Sequence, residues 1–474
     1  MPGRNLSPAV PVATPFPSAS VSSERLEWET AVNDPTRKLG FYFGLTYVFL
    51  RFSMLHETLT IFAHVNLYLA LITGLPAVVL SLVGGGFKRS IDSRAGKFWL
   101  GFLVLFLLSL PFSSWRGQSF QMMSAYVRAD FPILFILGGM VLTWKECKML
   151  LWAMALSGIC TLAMEKFFSN MDAGGRMSLS GGTIANSNDY AAHLLLLIPF
   201  MLWVVLAPVG RVYKIVFLPL LFGSLFIDLK TGSRGALIGL GAGFLLIILK
   251  GPGKIRWILG LCGPIALLAT FSFLPASVML RFSGLVGSGP AITAETADQT
   301  ESAAESSSAR RYLLTKSLEY TMSHPVFGIG AGTFSAFEGG MSKIEGKHGQ
   351  WQETHNAYTQ ISSELGIPAA FCYIAGILSG LFMLNRTMAK ARRDKVPIIV
   401  TSAFCCMLSI VMIATAMAFL SLGYRFYMPA LTGMAIALDR ILRLEFMNPG
   451  FTPAPAVSGP RIPSPRNPQR RFVQ

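Results

Sequence analysis

The segment VYKIVFLPLLFGSLFIDLKTGSRGALIGLGAGFLLIILK, residues 212–250, contains two long apolar runs separated by one short polar connection. Each run approaches the roughly 20 residues that an α-helix needs to cross the hydrocarbon core of a bilayer. Arg234 stands between the runs, immediately before the second one. The segment therefore predicts two membrane helices with a permanent cation at the point where they meet.

The composition of the whole chain extends this prediction. Hydrophobic residues make up 52% of the 474 positions, charged residues make up 14%, and the mean hydropathy is +0.53. Ordinary soluble domains are less apolar than this. We therefore predict an all-α polytopic membrane protein with about twelve transmembrane helices. The predicted spans are 40–56, 63–83, 98–113, 130–144, 149–165, 189–207, 213–229, 235–250, 256–274, 363–384, 397–417 and 421–438.

The net charge of +16 raises the question of a nucleic-acid partner. The basic residues, however, fall mainly in alternate connections between the predicted spans. Sixteen Lys and Arg lie in the five short connections on one side or in the span ends next to them, and eight lie in the corresponding places on the other side. Because Lys and Arg are enriched in cytoplasmic loops, this asymmetry predicts that both termini are cytoplasmic. It accounts for the basic excess without nucleic acid.

One long connection interrupts the predicted spans, and by the same parity it lies on the outer side. The chain is accordingly divided into five parts. They are a flexible cytoplasmic arm at 1–39, transmembrane helices 1–9 at 40–274, a large periplasmic loop at 275–362, transmembrane helices 10–12 at 363–438, and a Pro-rich basic cytoplasmic tail at 439–474.

The large loop has two parts of different composition. GSGPAITAETADQTESAAESSSA, residues 287–309, is small and acidic, which predicts a mobile segment with little to bury. From Arg310 onward the apolar residues return near helical period, which predicts an amphipathic helix at the outer membrane face. HPVFGIGAGTF, residues 324–334, then ends that helix with a proline and a Gly-rich turn.

Cysteine usage gives no sign of a disulfide framework or a metal site. The six cysteines lie in or beside apolar spans, and no pair of spans offers a metal-type spacing. We predict that their role is packing, with no structural disulfide and no bound metal. They are Cys147, Cys160, Cys262, Cys372, Cys405 and Cys406.

Four local motifs resemble one family, the bacterial O-antigen ligase and O-antigen polymerase group of membrane glycosyltransferases. They are ANSNDYAAHLLLLIPF at 185–200, TGSRGALIGL at 231–240, RRYLLTKSLEYTMSHPVFGIGAGTF at 310–334, and HNAYTQISSELGIPA at 355–369. Each motif alone is weak, whereas their order and their common outer placement make the joint resemblance specific. It covers about residues 40–440 and leaves both tails unmatched.

The resemblance implies a fold like that of C-type membrane glycosyltransferases, with amphipathic helices in the large loop. It also implies transfer of a glycan from undecaprenyl diphosphate to an acceptor at the outer face of the bacterial inner membrane, without a metal ion. Family members are similar in using two outer arginines and one loop histidine, which here correspond to Arg234, Arg310 and His355. Arg311 is adjacent and could exchange roles with Arg310, and Leu314 stands where many relatives carry Trp.

The chemistry of these side chains suits that implied reaction. Guanidinium groups bind phosphate oxygens bidentately, so Arg234 and Arg310, with Arg311 as the alternative, would hold the diphosphate and stabilise it as it leaves. His355, expected to have a pKa near its ordinary value, would act as general base on the acceptor hydroxyl. One direct displacement would invert the anomeric configuration.

Three asparagines are candidate glycan contacts, namely Asn186, Asn188 and Asn356. Asn186 and Asn188 stand at the mouth of a predicted span, where they could equally serve as helix caps. The pattern GLGAG, residues 239–243, could suggest a nucleotide loop, but it lies inside an apolar helix with no strand before it. Close packing between helices is the better interpretation.

Each catalytic candidate also has an ordinary structural interpretation. Arg234 could be an interfacial arginine whose head extends to lipid headgroups. Arg310 could form a solvated ion pair with Glu305 or Glu319. His355 could be a surface residue or a helix cap.

The favoured function is an O-antigen ligase-like transferase that needs no cofactor beyond the polyprenyl carrier of its substrate. Its partners would be membrane lipids, a lipid-linked oligosaccharide or polysaccharide donor, and a glycan or lipid A core acceptor. A polymerase of the same family differs only in its acceptor. A transporter of lipid-linked glycans is an alternative from another class, but few mid-depth charges and no convincing repeat between the halves argue against it.

Overall fold

The structure is a computed structural model, and it describes residues 19–171, 176–253, 255–275, 278–279, 282, 294–346, 349 and 351–447. Nearly all regular structure within these ranges is helical. The helices are α1 Ala19–Asn33, α2 Pro35–Ser53, α3 Leu55–Phe62, α4 Leu69–Val83, α5 Gly86–Ile91, α6 Arg94–Ser109, α7 Arg116–Ala125, α8 Ile133–Phe135, α9 Trp144–Phe168, α10 Ser187–Leu206, α11 Arg211–Lys230, α12 Arg234–Lys250, α13 Ile255–Phe271, α14 Ala294–Ser323, α15 Phe334–Ile344, α16 Ala357–Leu365, α17 Ile367–Arg393, α18 Pro397–Ala416 and α19 Tyr427–Ile441.

A small antiparallel hairpin follows α9. Its strands, Ser169–Met171 and Met177–Leu179, pair with Ser169 opposite Leu179 and Met171 opposite Met177. The rest of the described chain has no other sheet.

Within the described residues, six helical segments are long and apolar enough to cross a membrane. They are Arg94–Phe112, Trp144–Phe168, Ser187–Leu206, Arg211–Lys230, Ile367–Arg393 and Pro397–Phe419. The chain is therefore a membrane protein with a predominantly helical fold. The larger number of about twelve spans stays a prediction, as do the five-part division of the chain and the periplasmic position of the loop.

The span expected at 130–144 differs from the structure. In place of one membrane helix, the chain forms a π-helical turn at Tyr126–Asp130, the short α8, and a second π-helical turn at Ile136–Met140. Pro132 limits the helix on one side, and the Gly138–Gly139 pair loosens it on the other. A Cβ at Gly139 would collide with the backbone of Gly86, so this broken segment is pressed directly against α5.

The acidic segment of the large loop also differs from the expectation. Residues 294–309, predicted to be mobile, form the first half of α14, which runs without interruption to Ser323. Ala and Glu are good helix formers, and they recur through this segment. Local helix propensity therefore outweighs the small number of apolar side chains. The beginning of the predicted mobile segment, residues 287–293, lies outside the described residues.

A row of glycines sets α12 against the core of the bundle. Gly239 lies so close to α18 that an added Cβ would sit 2.9 Å from the backbone oxygen of Met412. Gly243, one turn further, would meet the side chain of the same methionine. The packing interpretation of GLGAG is thus confirmed. This contact fixes the start of α12 beside the end of α18, where the candidate site lies.

Candidate active site

Arg234 is the first residue of α12. The preceding Ser233 caps the helix, since its Oγ accepts a hydrogen bond from the backbone N–H of Ala236 at 3.4 Å. Gly235 faces the 3₁₀ turn Met417–Phe419 that extends α18, and an added Cβ would lie 3.0 Å from Cβ of Phe419. The half-buried Arg234 side chain therefore starts at a junction between α12 and the end of α18.

The turn before Arg234 is fastened to α10 by another arginine. Arg176 donates from Nε to the carbonyl oxygen of Thr231 at 3.0 Å and from Nη2 to Oδ1 of Asn188 at 2.8 Å. Asn188 is thus engaged with a protein side chain at this end of α10. Asn186 caps the same helix, because its Oδ1 accepts from the Asn188 N–H at 2.8 Å.

His355 lies immediately before α16 and adopts a left-handed backbone conformation, with φ at 51°. Such a conformation is costly for a residue other than glycine, and it is retained where surrounding contacts impose it. Two contacts hold it here. The His355 N–H donates to Oγ of Ser421 at 2.9 Å, and the neighbouring Asn356 caps α16 by accepting from the N–H groups of Tyr358 and Thr359.

Arg310 is the loop arginine that interacts with His355. Desolvation lowers the pKa of His355 to about 4, and the positive charge of Arg310 contributes in the same direction. The expectation of an imidazole with an ordinary pKa is therefore wrong for the substrate-free protein, where the ring is neutral at pH 7. Arg311, by contrast, is exposed. Glu319, considered as a partner of Arg310, is bonded to Lys316 at 3.0 Å.

The helix that carries Arg310 is held against α16. Oγ1 of Thr321 on α14 lies 2.8 Å from Oγ of Ser362 on α16. On the same side of α14, Leu313 and Tyr320 are buried in a small apolar cluster with Phe334. This packing brings the Arg310 end of α14 toward the start of α16, where His355 stands.

The Gly-rich turn after α14 is organised by Glu364, a buried carboxylate near the end of α16. Glu364 accepts hydrogen bonds from the N–H groups of Gly332 at 2.8 Å and Phe334 at 3.1 Å, and from the hydroxyl of Tyr424 at 2.7 Å. Gly330 has φ at 113°, and a Cβ there would collide with Ser113. One carboxylate therefore joins two of the sequence motifs and the segment after α18.

Charged groups surround Ser421 on its other side. Its hydroxyl donates to the carboxylate of Glu353 while its oxygen accepts from the His355 N–H. Desolvation raises the pKa of Glu353, and the Asp189 carboxylate adds to that effect, whereas the Ser421 hydrogen bond and the charge of Arg425 oppose it. Arg425 in turn donates from Nη2 to the Thr183 carbonyl oxygen at 3.3 Å.

These contacts bring the sequence-predicted residues to one end of the bundle. The segment from Phe419 to Ser421 contacts both the start of α12, which carries Arg234, and His355. Arg310 acts on His355 from the loop side. Asn186 and Asn356 occupy their helix-capping positions, so their amide oxygens are already used for structure. Their NH₂ groups are the part available for a sugar.

Sequence reasoning assigned no role to Ser421 or Glu364. Ser421 contacts a residue 66 positions away, and Glu364 reaches groups 30 and 60 positions away. Contacts between residues so far apart in the chain cannot be predicted from local periodicity. Glu364 stands inside the quoted motif HNAYTQISSELGIPA, and that position was the one available clue. Among the described residues, no three His, Cys, Asp or Glu side chains are grouped as metal ligands.

Comparison with known protein families agrees with the motif resemblance. The family model described as O-antigen ligase matches residues 219–374, a segment that includes Arg234, Arg310 and His355. No curated protein matches the chain significantly. The matched segment begins in α11 and ends in α17, so it contains α12, α14 and α16 but not the segment Phe419–Ser421 that contacts α12 and His355. Residues 219–374, about a third of the chain, are therefore similar to the O-antigen ligase family of membrane proteins.

Proposed function

We propose that this chain transfers a glycan from undecaprenyl diphosphate to an acceptor hydroxyl at the periplasmic face of the bacterial inner membrane. The observation that carries the proposal is the meeting of a neutral imidazole and a guanidinium, His355 and Arg310, beside the segment that also seats Arg234. We place this junction on the periplasmic side of about twelve spans, with both termini in the cytoplasm, as the charge asymmetry of the loops favours.

In this mechanism the donor diphosphate lies between Arg234 and Arg310. Both side chains stay cationic and offer planar donors that match phosphate oxygens. Arg234 also stands at the N-terminus of a 17-residue helix, where free N–H groups favour an anion. The two arginines supply the positive charge that the reaction needs, which supports a metal-independent route.

The chemical step is one displacement at the anomeric carbon. The acceptor oxygen attacks C1 of the donor sugar, its proton passes to His355, and the bond from C1 to the phosphate oxygen breaks. Undecaprenyl diphosphate leaves with the bonding electron pair, and the arginines stabilise the charge that develops on it. Attack on the face opposite the leaving group inverts the anomeric configuration.

Donor binding would also adjust the basicity of His355. A bound diphosphate places negative charge beside Arg310 and so offsets one of the two causes that lower the histidine pKa. The pKa of His355 would therefore rise with the donor in place, by the part of its lowering that Arg310 causes. A base that gains strength on donor binding would limit deprotonation of an acceptor when no glycan is ready.

The test is complementation of strains that lack either an O-antigen ligase or an O-antigen polymerase. The native chain is compared with Arg234→Ala, Arg310→Ala and His355→Ala, and with the exposed neighbour Arg311→Ala as the matched control. We expect the first three variants to fail and the control to succeed at equal membrane abundance. Normal glycosylation by the first three would refute the site, and the strain that is rescued distinguishes ligase from polymerase.

A further inference from the structure

A cavity lies at the opposite end of the bundle from His355. It has a volume of about 1190 Å³ and is lined by α1, α5, α6, α17 and α19. Helix α17 begins close to the candidate active site and ends beyond this cavity. Arg386, near the end of the helix, lines the cavity. Loop charge predicts that this end is cytoplasmic.

The lining of this cavity is rich in positive charge. Seven Lys and Arg side chains face four Asp and Glu side chains. Two of those carboxylates, Glu24 and Asp439, are both bonded to Arg443, at 2.8 and 2.9 Å. Within the described ranges, no carboxylate lies at ion-pair distance from Arg94, Lys97 or Arg386. The positive charges of these three side chains are therefore not neutralised by an ion pair within the described part of the protein.

One wall of the same cavity is apolar and open toward the surroundings. Ala375, Leu378 and Phe382 recur at helical spacing on α17, and Arg386 follows one turn later on the same row. Leu378 is 57% exposed and Phe382 is 68% exposed. The helices on either side, α6 and α17, both belong to the segments long and apolar enough to span a membrane. A hydrocarbon chain therefore has a continuous surface to follow.

We propose that this cavity binds an anionic diacyl phospholipid. Its phosphate lies among Arg94, Lys97 and Arg386, and one acyl chain runs along Leu378 and Phe382. Basic pockets between membrane helices on the cytoplasmic side are a recurring form of lipid headgroup recognition. The apolar row argues for a lipid as the source of the phosphate, because it continues from the basic residues along α17 and so can hold an acyl chain attached to that phosphate.

The experiment is native mass spectrometry of the purified full-length protein in detergent. The probes are phosphatidylglycerol and phosphatidylethanolamine with identical acyl chains, compared in the native chain, Arg94→Gln/Arg386→Gln and a control. Lys145→Gln/Arg393→Gln removes the same two charges outside the cavity, from exposed positions. At roughly 1 kcal/mol per basic residue near a lipid headgroup, we expect the cavity variant to retain about tenfold to thirtyfold less phosphatidylglycerol.

The control variant should retain phosphatidylglycerol like the native chain. Equal losses in the two variants, or equal retention of the two lipids, would mean unspecific lipid contact and overturn the proposal. Phe382→Ala is expected to weaken lipid retention through the apolar wall alone, with unchanged helical content by circular dichroism. Inorganic phosphate is added as a competitor of phosphatidylglycerol. If it displaces phosphatidylglycerol at equal concentration, the site takes a soluble anion, and the lipid proposal is wrong.

Discussion

Buried arginines near the predicted cytoplasmic end and the arginines of the candidate active site are placed in opposite ways. Arg37 is fully buried, and its donors reach Glu146 at 2.7 Å, the Met140 carbonyl oxygen at 2.8 Å and the Val32 carbonyl oxygen at 3.1 Å. Arg440 likewise donates to the carbonyl oxygens of Gly138 and Arg89. These guanidinium groups join separate parts of the chain.

Arg234 and Arg310 occupy positions that ordinary stability does not favour. Arg234 is at the first position of α12, where the helix dipole disfavours a cation, and Arg310 is followed directly by a second arginine. Both are half-buried. The following predictions separate structural arginines from functional ones.

The largest effect is expected from Arg37→Met. The change leaves the largely buried Glu146 carboxylate without its cation, so the free energy of unfolding should fall by about 3–5 kcal/mol. Chemical denaturation of the purified protein in micelles measures it. Arg25→Met is the control, because the exposed pair of Arg25 with Glu29 is worth at most about 1 kcal/mol. Similar losses in both variants would contradict the structural role of Arg37.

Arg234→Ala should affect the transfer rate far more than the free energy of unfolding. We expect the transfer rate to fall by about 10²–10³-fold, as for removal of a group that stabilises developing charge. The free energy of unfolding should fall by less than for Arg37→Met, since Arg234 is only half-buried and its charge lies at a helix N-terminus. Single-turnover assays with lipid-linked donor and denaturation in micelles are the two measurements. Lost stability with preserved turnover would place Arg234 among the structural arginines.

Asn356 offers a smaller and more local test. Asn356→Ala removes the cap of α16 and should cost about 1 kcal/mol, seen as lower hydrogen-exchange protection in Ala357–Leu365. Asn356→Ser keeps a capping oxygen and should restore that protection. If the serine variant is protected yet inactive, the amide NH₂ contributes to glycan binding. If it is protected and active, Asn356 serves the helix alone.

A further prediction concerns pH. The pKa of His355 is lowered from 6.5 to about 4, so the unfolded chain binds more protons than the folded one between these values. The contribution of this histidine to stability is therefore present above pH 6.5 and is lost as pH falls toward 4. In kcat/KM, which reports the free enzyme, the acidic limb should lie below pH 6.5.

Arg310→Gln sharpens the pH prediction. It removes the second cause of the lowered pKa, so the acidic limb should move upward by a fraction of a pH unit in whatever activity remains. Direct titration of the histidine ring by NMR checks the same shift without relying on turnover. An unchanged His355 titration in Arg310→Gln would show that the two groups do not interact.

The sequence alone predicts the helices that hold Arg234 but not every helix of the bundle. The predicted spans 213–229 and 235–250 agree closely with Arg211–Lys230 and Arg234–Lys250, because long apolar runs end at polar residues with capping ability. The span 130–144 fails, since its hydrophobicity hides the Pro132 and Gly138–Gly139 interruptions. The helix through 294–309 differs from the prediction because the helix propensity of this segment outweighs its polar composition.

The candidate site was likewise predicted only in part from the sequence. Arg234, Arg310 and His355 were found by motif resemblance, which carries no information on their mutual geometry. Ser421 and Glu364 were missed because they act through contacts between segments that are far apart in the chain. The lowered pKa of His355 depends on tertiary burial and on Arg310, so no local pattern could have revealed it.

The glycine row of α12 has a consequence for the surrounding bilayer. Because Gly235, Gly239 and Gly243 seat this helix directly on protein, contact with α18 fixes its axial position. A helix held only by lipid would instead shift or tilt to match membrane thickness. The depth of Arg234 is thereby set by the protein, and the phosphate recognition that we propose for it should persist in thinner or thicker membranes.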